Sequence, residues 1–261
     1  MYLEALCLLF GFWSTLSLGE NVPVITTEQG KLSGISEEAY DGTPFNSYYA
    51  IPFAQPPLGE LRFKRLNELV QTELLIQPIL TNLSERDELG DGTRDPQPPS
   101  TWTGVRKRSS LASPCVQVPF GHMLAGVKLP PEELVGDEDC LYLNVFTPKG
   151  AQTRDDIPVM VYIHGGGFFA GGAFEYLPHV LLSRDIILVV IQYRLGFLGF
   201  LSTEDSIIPG NYGLKDQIAA LQWVQKNIKH FGGNPKKVTI FGESAGAASV
   251  HYHMFSPKSE G

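Results

Sequence analysis

Ser244 stands between two glycines in the stretch "VTIFGESAGAAS" (238–249), just where an apolar run ends. Gly242-Glu243-Ser244-Ala245-Gly246 fits G-x-S-x-G, in which the glycines permit a sharp strand-to-helix turn that lifts the serine hydroxyl above a sheet. A serine hydroxyl at its own pKa is a weak nucleophile and needs a neighbouring base. Attack on an acyl carbon also needs N–H donors aimed at the oxyanion that develops. "YIHGGGFFAGG" (162–172) can supply them, because backbone amides approach a substrate closely only where side chains are absent. A bare glycine-rich turn is the alternative, and the position of this stretch after an apolar run and before the serine motif argues against it.

The elements that must carry these two loops are legible nearby. "PVMVYI" (158–163) and "IILVVI" (186–191) are short, β-branched and apolar at successive positions. That pattern suits central strands of a sheet covered on both faces. "KVTIF" (237–241) is a third strand and leads into the serine. Between the second and third lies "LKDQIAALQWVQKNIKHF", where Leu214, Ile218, Leu221, Val224 and Ile228 predict one face of an amphipathic helix. "GGNP" (232–235) predicts its end, with glycine at the C-cap and proline beyond. Strand, helix and strand in this order form the crossover unit of a parallel sheet, so the fold class is α/β. Residues 22–35 alternate enough to predict a hairpin ahead of this core.

The chain has 261 residues and a formal charge of −8, with no basic stripe or polybasic tail. Bulk electrostatics therefore argue against nucleic acid or anionic membrane as partners. The apolar stretch from Ala5 to Leu18, followed by Gly19, reads as a secretory signal over residues 1–19, a buried N-terminal helix being the alternative. Its n-region is atypical, carrying Glu4 and no Lys or Arg. No other segment has the ~18 apolar residues of a membrane span. Cleavage would remove Cys7 and leave Cys115 and Cys140. An even pair in an exported protein points to a disulfide, with two free buried thiols as the alternative.

The chain resembles the type-B carboxylesterase/cholinesterase family of α/β-hydrolases. "EDCLYLNVFTP" (138–148) and "FGGNPKKVTIFGESAG" (231–246) match two signatures of that family. "YAIPFAQPPLGELRF", "HGGGFFAGG", "QYRLGFLGFL" and "GNYGLKDQIAALQWVQKNI" read as family segments in family order. The resemblance implies an α/β-hydrolase fold, here cut off after the nucleophile-elbow helix, and a partial catalytic domain over 20–261. It implies hydrolysis of small-molecule carboxylic esters through an acyl-enzyme, with no metal or cofactor. By the same resemblance Ser244 is the nucleophile and Gly166, Gly167 and Ala245 give the oxyanion-hole amides. Cys115 and Cys140 resemble the family's first disulfide, and Glu243 resembles a buried acid that shapes the site electrostatically. His164 resembles a structural histidine.

Two departures qualify the resemblance. Residues 65–94 interrupt a continuous family reading between "ELRFK" and "DPQPPSTWTGVR". They read as an extra exon or a mispredicted intron, a genuine surface loop being the alternative. They also hold the sequon Asn82-Leu83-Ser84, usable for glycosylation if the protein is secreted and the loop exposed. The second departure concerns the base. In this fold the triad runs Ser, then acid, then His, and only Glu260, His251 and His253 follow Ser244. The two histidines stand 7 and 9 residues along the helix, about 10–14 Å away at the rise of an α-helix. They read as ordinary helix residues, and none of His122, His164, His179 and His230 holds a family catalytic position. The acid and the base are expected beyond Gly261. A non-catalytic adhesion or binding protein is the alternative function, and an inactive short isoform is a third. The particular ester is not written in these residues.

Overall fold

The structure is a computed structural model that describes residues 22–58, 95–119, 134–205 and 208–259. Residues 1–19 with Cys7, expected as a signal, residues 65–94 with Asn82, expected as an insert, and His122 lie outside the described residues. No helix among the described residues is long and apolar enough to cross a membrane.

The expected N-terminal hairpin forms from β1 (Val24–Thr26) and β2 (Lys31–Ser33), joined by β5 (Val105–Lys107) in a small three-stranded sheet. The main sheet has six strands in the order β3-β4-β6-β8-β7-β9. They are β3 (Ile35–Glu38), β4 (Pro44–Pro52), β6 (Tyr142–Pro148), β7 (Ile157–Ile163), β8 (Ile187–Ile191) and β9 (Gly233–Gly242). β3 to β8 pair antiparallel along that order, and β7 pairs parallel with both β8 and β9. The three apolar runs are therefore neighbouring strands, with β7 between the two that flank the helix.

Both faces of the sheet are buried at its central strands, and the pleat divides their side chains between two cores. Ile187, Val189 and Ile191 of β8 join Val159, Val161 and Ile163 of β7 on one face, under Ala220, Trp223, Val224 and Phe231. Leu188 and Val190 join Phe45, Phe146 and Tyr162 on the other. Among the described residues β9 is an edge strand, and its Val238 and Ile240 are only half-buried.

Three helices matter for the site: α1 (Gly196–Phe200), α2 (Tyr212–Asn227) and α3 (Ala245–Phe255). The buried face of α2 differs from the expected stripe. It runs through Gly213, Asp216, Gln217, Ala220, Trp223, Val224 and Asn227, while Leu214, Ile218 and Leu221 are half-buried. Polar residues occupy the centre of that face because each has a partner. Arg194 grips Asp216 from its Nε (2.8 Å), Nη2 (2.7 Å) and backbone N (3.0 Å), and Asn227 donates to Trp223 O. A buried charge is tolerated when it is paired and hydrogen-bonded in this way. The helix end also differs. α2 ends at Asn227 and passes into a 3-10 turn (Ile228–Phe231), which Gly232 caps in the left-handed region (φ 90°), and β9 already begins at Gly233, ahead of Pro235.

Cys115 and Cys140, 25 positions apart in sequence, form a disulfide, which rules out the alternative of two free thiols. Gln192, following β8, ties both arms of that loop to the sheet by donating to Ser113 O (3.0 Å) and Cys140 O (2.9 Å). Loop entropy puts the disulfide's contribution at about 3.5 kcal/mol. A Cys115→Ser/Cys140→Ser double variant is expected to lower the urea-unfolding midpoint by the equivalent of that amount, and an unchanged midpoint would contradict the assignment.

Candidate active site

Ser244 sits at the junction of β9 and α3 with φ 51° and ψ −118°, a conformation that L-residues rarely adopt. Such a backbone costs about 1–3 kcal/mol and persists only where its surroundings over-determine it. They do so here by backbone contact. A Cβ on Gly246 would overlap the carbonyl oxygen of Ile163, the last residue of β7, and a Cβ on Gly242 would crowd the same oxygen. The first turn of α3 closes on the elbow, Gly246 N donating to Glu243 O (2.7 Å) and Ala248 N to Ser244 O (3.0 Å). The hydroxyl of Ser244 is exposed and makes no hydrogen bond among the described residues.

The glycine-rich loop runs beside it. A Cβ added to Gly165 would lie 3.1 Å from Ser244 Cβ. Within the loop, Phe169 N (3.0 Å) and Ala170 N (3.1 Å) both donate to Gly166 O. Gly166 (φ 91°) has no room for a side chain, which would strike Ala170 O. Outside clamps hold the loop at three points. Gln117 exchanges two hydrogen bonds with the backbone of Gly171, each 2.8 Å. Tyr193 donates its hydroxyl to His164 O (2.9 Å), and Gly196 N donates to Phe168 O (2.7 Å). Among the described residues the amides of Gly166, Gly167 and Ala245 donate to nothing. Free N–H donors near a nucleophile are the kind of group that can receive a developing oxyanion.

His164 has the structural place expected of it. Its ring is buried, stacks on Tyr193 at 4.3 Å and lies 3.0 Å through Nδ1 from Gly165 O. Burial lowers its pKa to about 4, with the Gly165 carbonyl opposing weakly. His253 is likewise buried, its Nε2 on Gln217 Oε1 (2.8 Å) and its Nδ1 on Ser259 Oγ (3.0 Å). His251 packs edge-on against Phe255, and His179 packs against Tyr40 and Phe45. His230 lies in the short 3-10 turn after α2. None of these five hydrogen-bonds Ser244 among the described residues. Glu243 departs from expectation: it is exposed among the described residues, not buried. Its charge is still felt locally, since desolvation and then Glu243 raise the Glu175 carboxyl. Phe168 packs on Phe200 at 4.9 Å, whereas Phe169 is 61% exposed, with its ring edge 3.8 Å from where a Gly167 Cβ would stand.

The sequence model of the Carboxylesterase family matches residues 21–69 and 94–261. The chain belongs to the carboxylesterase family. Esterase FE4 of Myzus persicae is 41% identical to this chain over 260 residues, covering 98% of the chain and 39% of that protein. Cocaine esterase of Oryctolagus cuniculus is 42% identical over 244 residues, 92% of this chain and 40% of that protein. Among solved structures, juvenile hormone esterase from Manduca sexta with OTFP covalently attached superposes with a TM-score of 0.72 at 33% identity. That match covers 92% of this chain and 39% of the other. The fold is that of the α/β-hydrolases, and the chain spans about two-fifths of the length of these relatives.

Sequence reasoning missed Gln117, Tyr193, Asp216 and Gln217. The last two carried a signal: with Gly213, Ala220 and Asn227 they recur at helical spacing on the buried face of α2.

The neutral state of His164 has a consequence for stability. The unfolded chain takes up a proton near pH 6.5, while the folded site refuses one until about pH 4. This contribution is complete above pH 6.5 and is lost as pH falls toward 4, amounting to about 2 kcal/mol between pH 7.5 and 5. Urea unfolding at those two pH values is expected to show that much less pH dependence in His164→Gln than in the wild type. Equal dependence in both would contradict a neutral, desolvated His164.

Proposed function

We propose that the protein carrying this chain is a secreted carboxylic ester hydrolase that works through an acyl-enzyme on Ser244. The observation that carries this reading is a strained, exposed serine with the glycine-rich loop packed beside it, a Gly165 Cβ falling 3.1 Å from Ser244 Cβ. Ser244 Oγ attacks the ester carbonyl and passes its proton to a base. The resulting oxyanion accepts hydrogen bonds from Gly166, Gly167 and Ala245. Collapse expels the alcohol, which takes the proton from the base, and water then releases the acid by the same steps in reverse order of partners. The base and its acidic partner come from outside the described residues. Glu243 supplies negative charge beside the serine.

The substrate is a small-molecule ester with an apolar acyl or alcohol group. Phe168 is committed to packing, so Phe169 is the aromatic residue that meets such a group, with its ring against Gly167. Residues 1–19 serve as the signal for secretion, and Asn82 is a glycosylation site of the secreted protein. The names of the relatives, which include esterases, pyrethroid hydrolases and juvenile hormone esterase, agree with the reaction class but differ in substrate.

The full-length protein is expected to hydrolyse p-nitrophenyl butyrate and to take up a fluorophosphonate on the peptide containing Ser244, both being lost in Ser244→Ala. Residues 20–261 alone are expected to give negligible hydrolysis, since no histidine among the described residues hydrogen-bonds Ser244. Full-length protein that binds no fluorophosphonate and turns over no aryl ester would favour a non-catalytic binding protein instead.

A further inference from the structure

The two halves of the proposed oxyanion hole belong to different elements. Gly166 and Gly167 lie on the loop after β7, and Ala245 opens α3 after β9. Their amides act together only if loop and helix keep a fixed separation. Two consecutive residues of α2, Asp216 and Gln217, each reach toward one of these halves, and both are fully buried.

Asp216 holds the loop at one remove. It fixes Arg194 through three hydrogen bonds of 2.7–3.0 Å, and the side chain of Arg194 is itself only 7% exposed. Arg194 stands between two of the residues that grip the glycine-rich loop, Tyr193 on His164 O and Gly196 on Phe168 O. Gln217 holds the helix. Its Nε2 donates to Ser249 Oγ (3.1 Å), which donates in turn to Ala245 O (2.9 Å). Its Oε1 can only accept, so His253 Nε2 carries the proton in that 2.8 Å contact and His253 Nδ1 accepts from Ser259 Oγ. The chain of bonds from Gln217 thus ends on the residue that contributes the third amide. Ser249 is fully buried and His253 nearly so.

We propose that Asp216 and Gln217 are positioning residues that set the spacing between the Gly166–Gly167 amides and the Ser244–Ala245 elbow. Neither touches the reacting atoms. Their effect passes through Arg194 to the loop and through Ser249 to the helix. A displacement of even 1 Å at a catalytic centre can cost on the order of a hundredfold in rate, and loss of one oxyanion donor costs a similar factor. Partial release of one end of this bracket is therefore expected to lower turnover by about tenfold. The inference rests on the ester-hydrolase reading.

The test uses full-length protein, p-nitrophenyl butyrate, and fluorophosphonate titration to count competent serines. Gln217→Leu keeps the bulk of the side chain and removes both hydrogen bonds. Ser249→Ala removes one hydroxyl inside a helix, and it carries the test if Gln217→Leu fails to fold. Both are expected to lower kcat per titrated serine, by about tenfold for Gln217→Leu and several-fold for Ser249→Ala, with KM changed less than about twofold. A purely structural role would lower the thermal midpoint and leave kcat per titrated serine unchanged, and that result overturns the bracket alone. Absence of Ser244-dependent hydrolysis in the wild type overturns the ester-hydrolase reading and the bracket together.

Discussion

The site depends on one close approach, in which the backbones of the elbow and of α3 press against the carbonyl of Ile163 at the end of β7. No side chain fits there, so positions 242 and 246 must be glycine. With both glycines in place the chain can turn from strand to helix within a single residue, and that residue takes the conformation its type disfavours. Ser244 is thus lifted clear of the sheet, and the first free N–H of α3, that of Ala245, is brought beside it. The strain at Ser244 is a local cost held by many small terms: parallel pairing of β9 with β7, burial of β7 on both faces, and the closing hydrogen bonds of the first helical turn.

Around this contact the structure spends its buried polar groups on holding backbone in place. Gln117, Tyr193 and Gly196 hold the glycine-rich loop, and His164 is held neutral beneath it. Arg194 and Asp216 hold the residues that do the holding. Each of these groups would be costly to bury alone, and each has its partners. The amides of Gly166, Gly167 and Ala245 are the contrast, since nothing among the described residues satisfies them. Uncommitted amides on the loop after β7 and at the start of α3 are what the oxyanion-hole proposal uses.

Much of this was legible beforehand because it follows from periodicity and from glycine. Continuous apolar runs gave β7 and β8, and the two glycine-bounded motifs gave the loop and the elbow. The apolar pattern at 214, 218 and 221 points to a face the structure leaves half-buried, because the buried face carries Asp216 and Gln217, whose polar type argues for solvent. Their partners, Arg194 and Ser249, are 22 and 32 residues away in sequence, and no local pattern announces such a pairing. The extra β-structure at 233–235 was missed for a similar reason: Pro235 argues against a strand, except at an edge, and among the described residues β9 is an edge. Glu243 was expected to be buried through resemblance alone, and its local contacts leave it exposed.

The central claim is geometric: Gly166, Gly167 and Ala245 converge on one oxyanion bonded to Ser244. A crystal structure of the full-length protein after reaction with a fluorophosphonate tests it most directly. The phosphoryl oxygen on Ser244 is expected to accept all three N–H groups at about 2.7–3.1 Å. A phosphoryl oxygen turned into solvent, with any of those amides left unpartnered, would contradict the account.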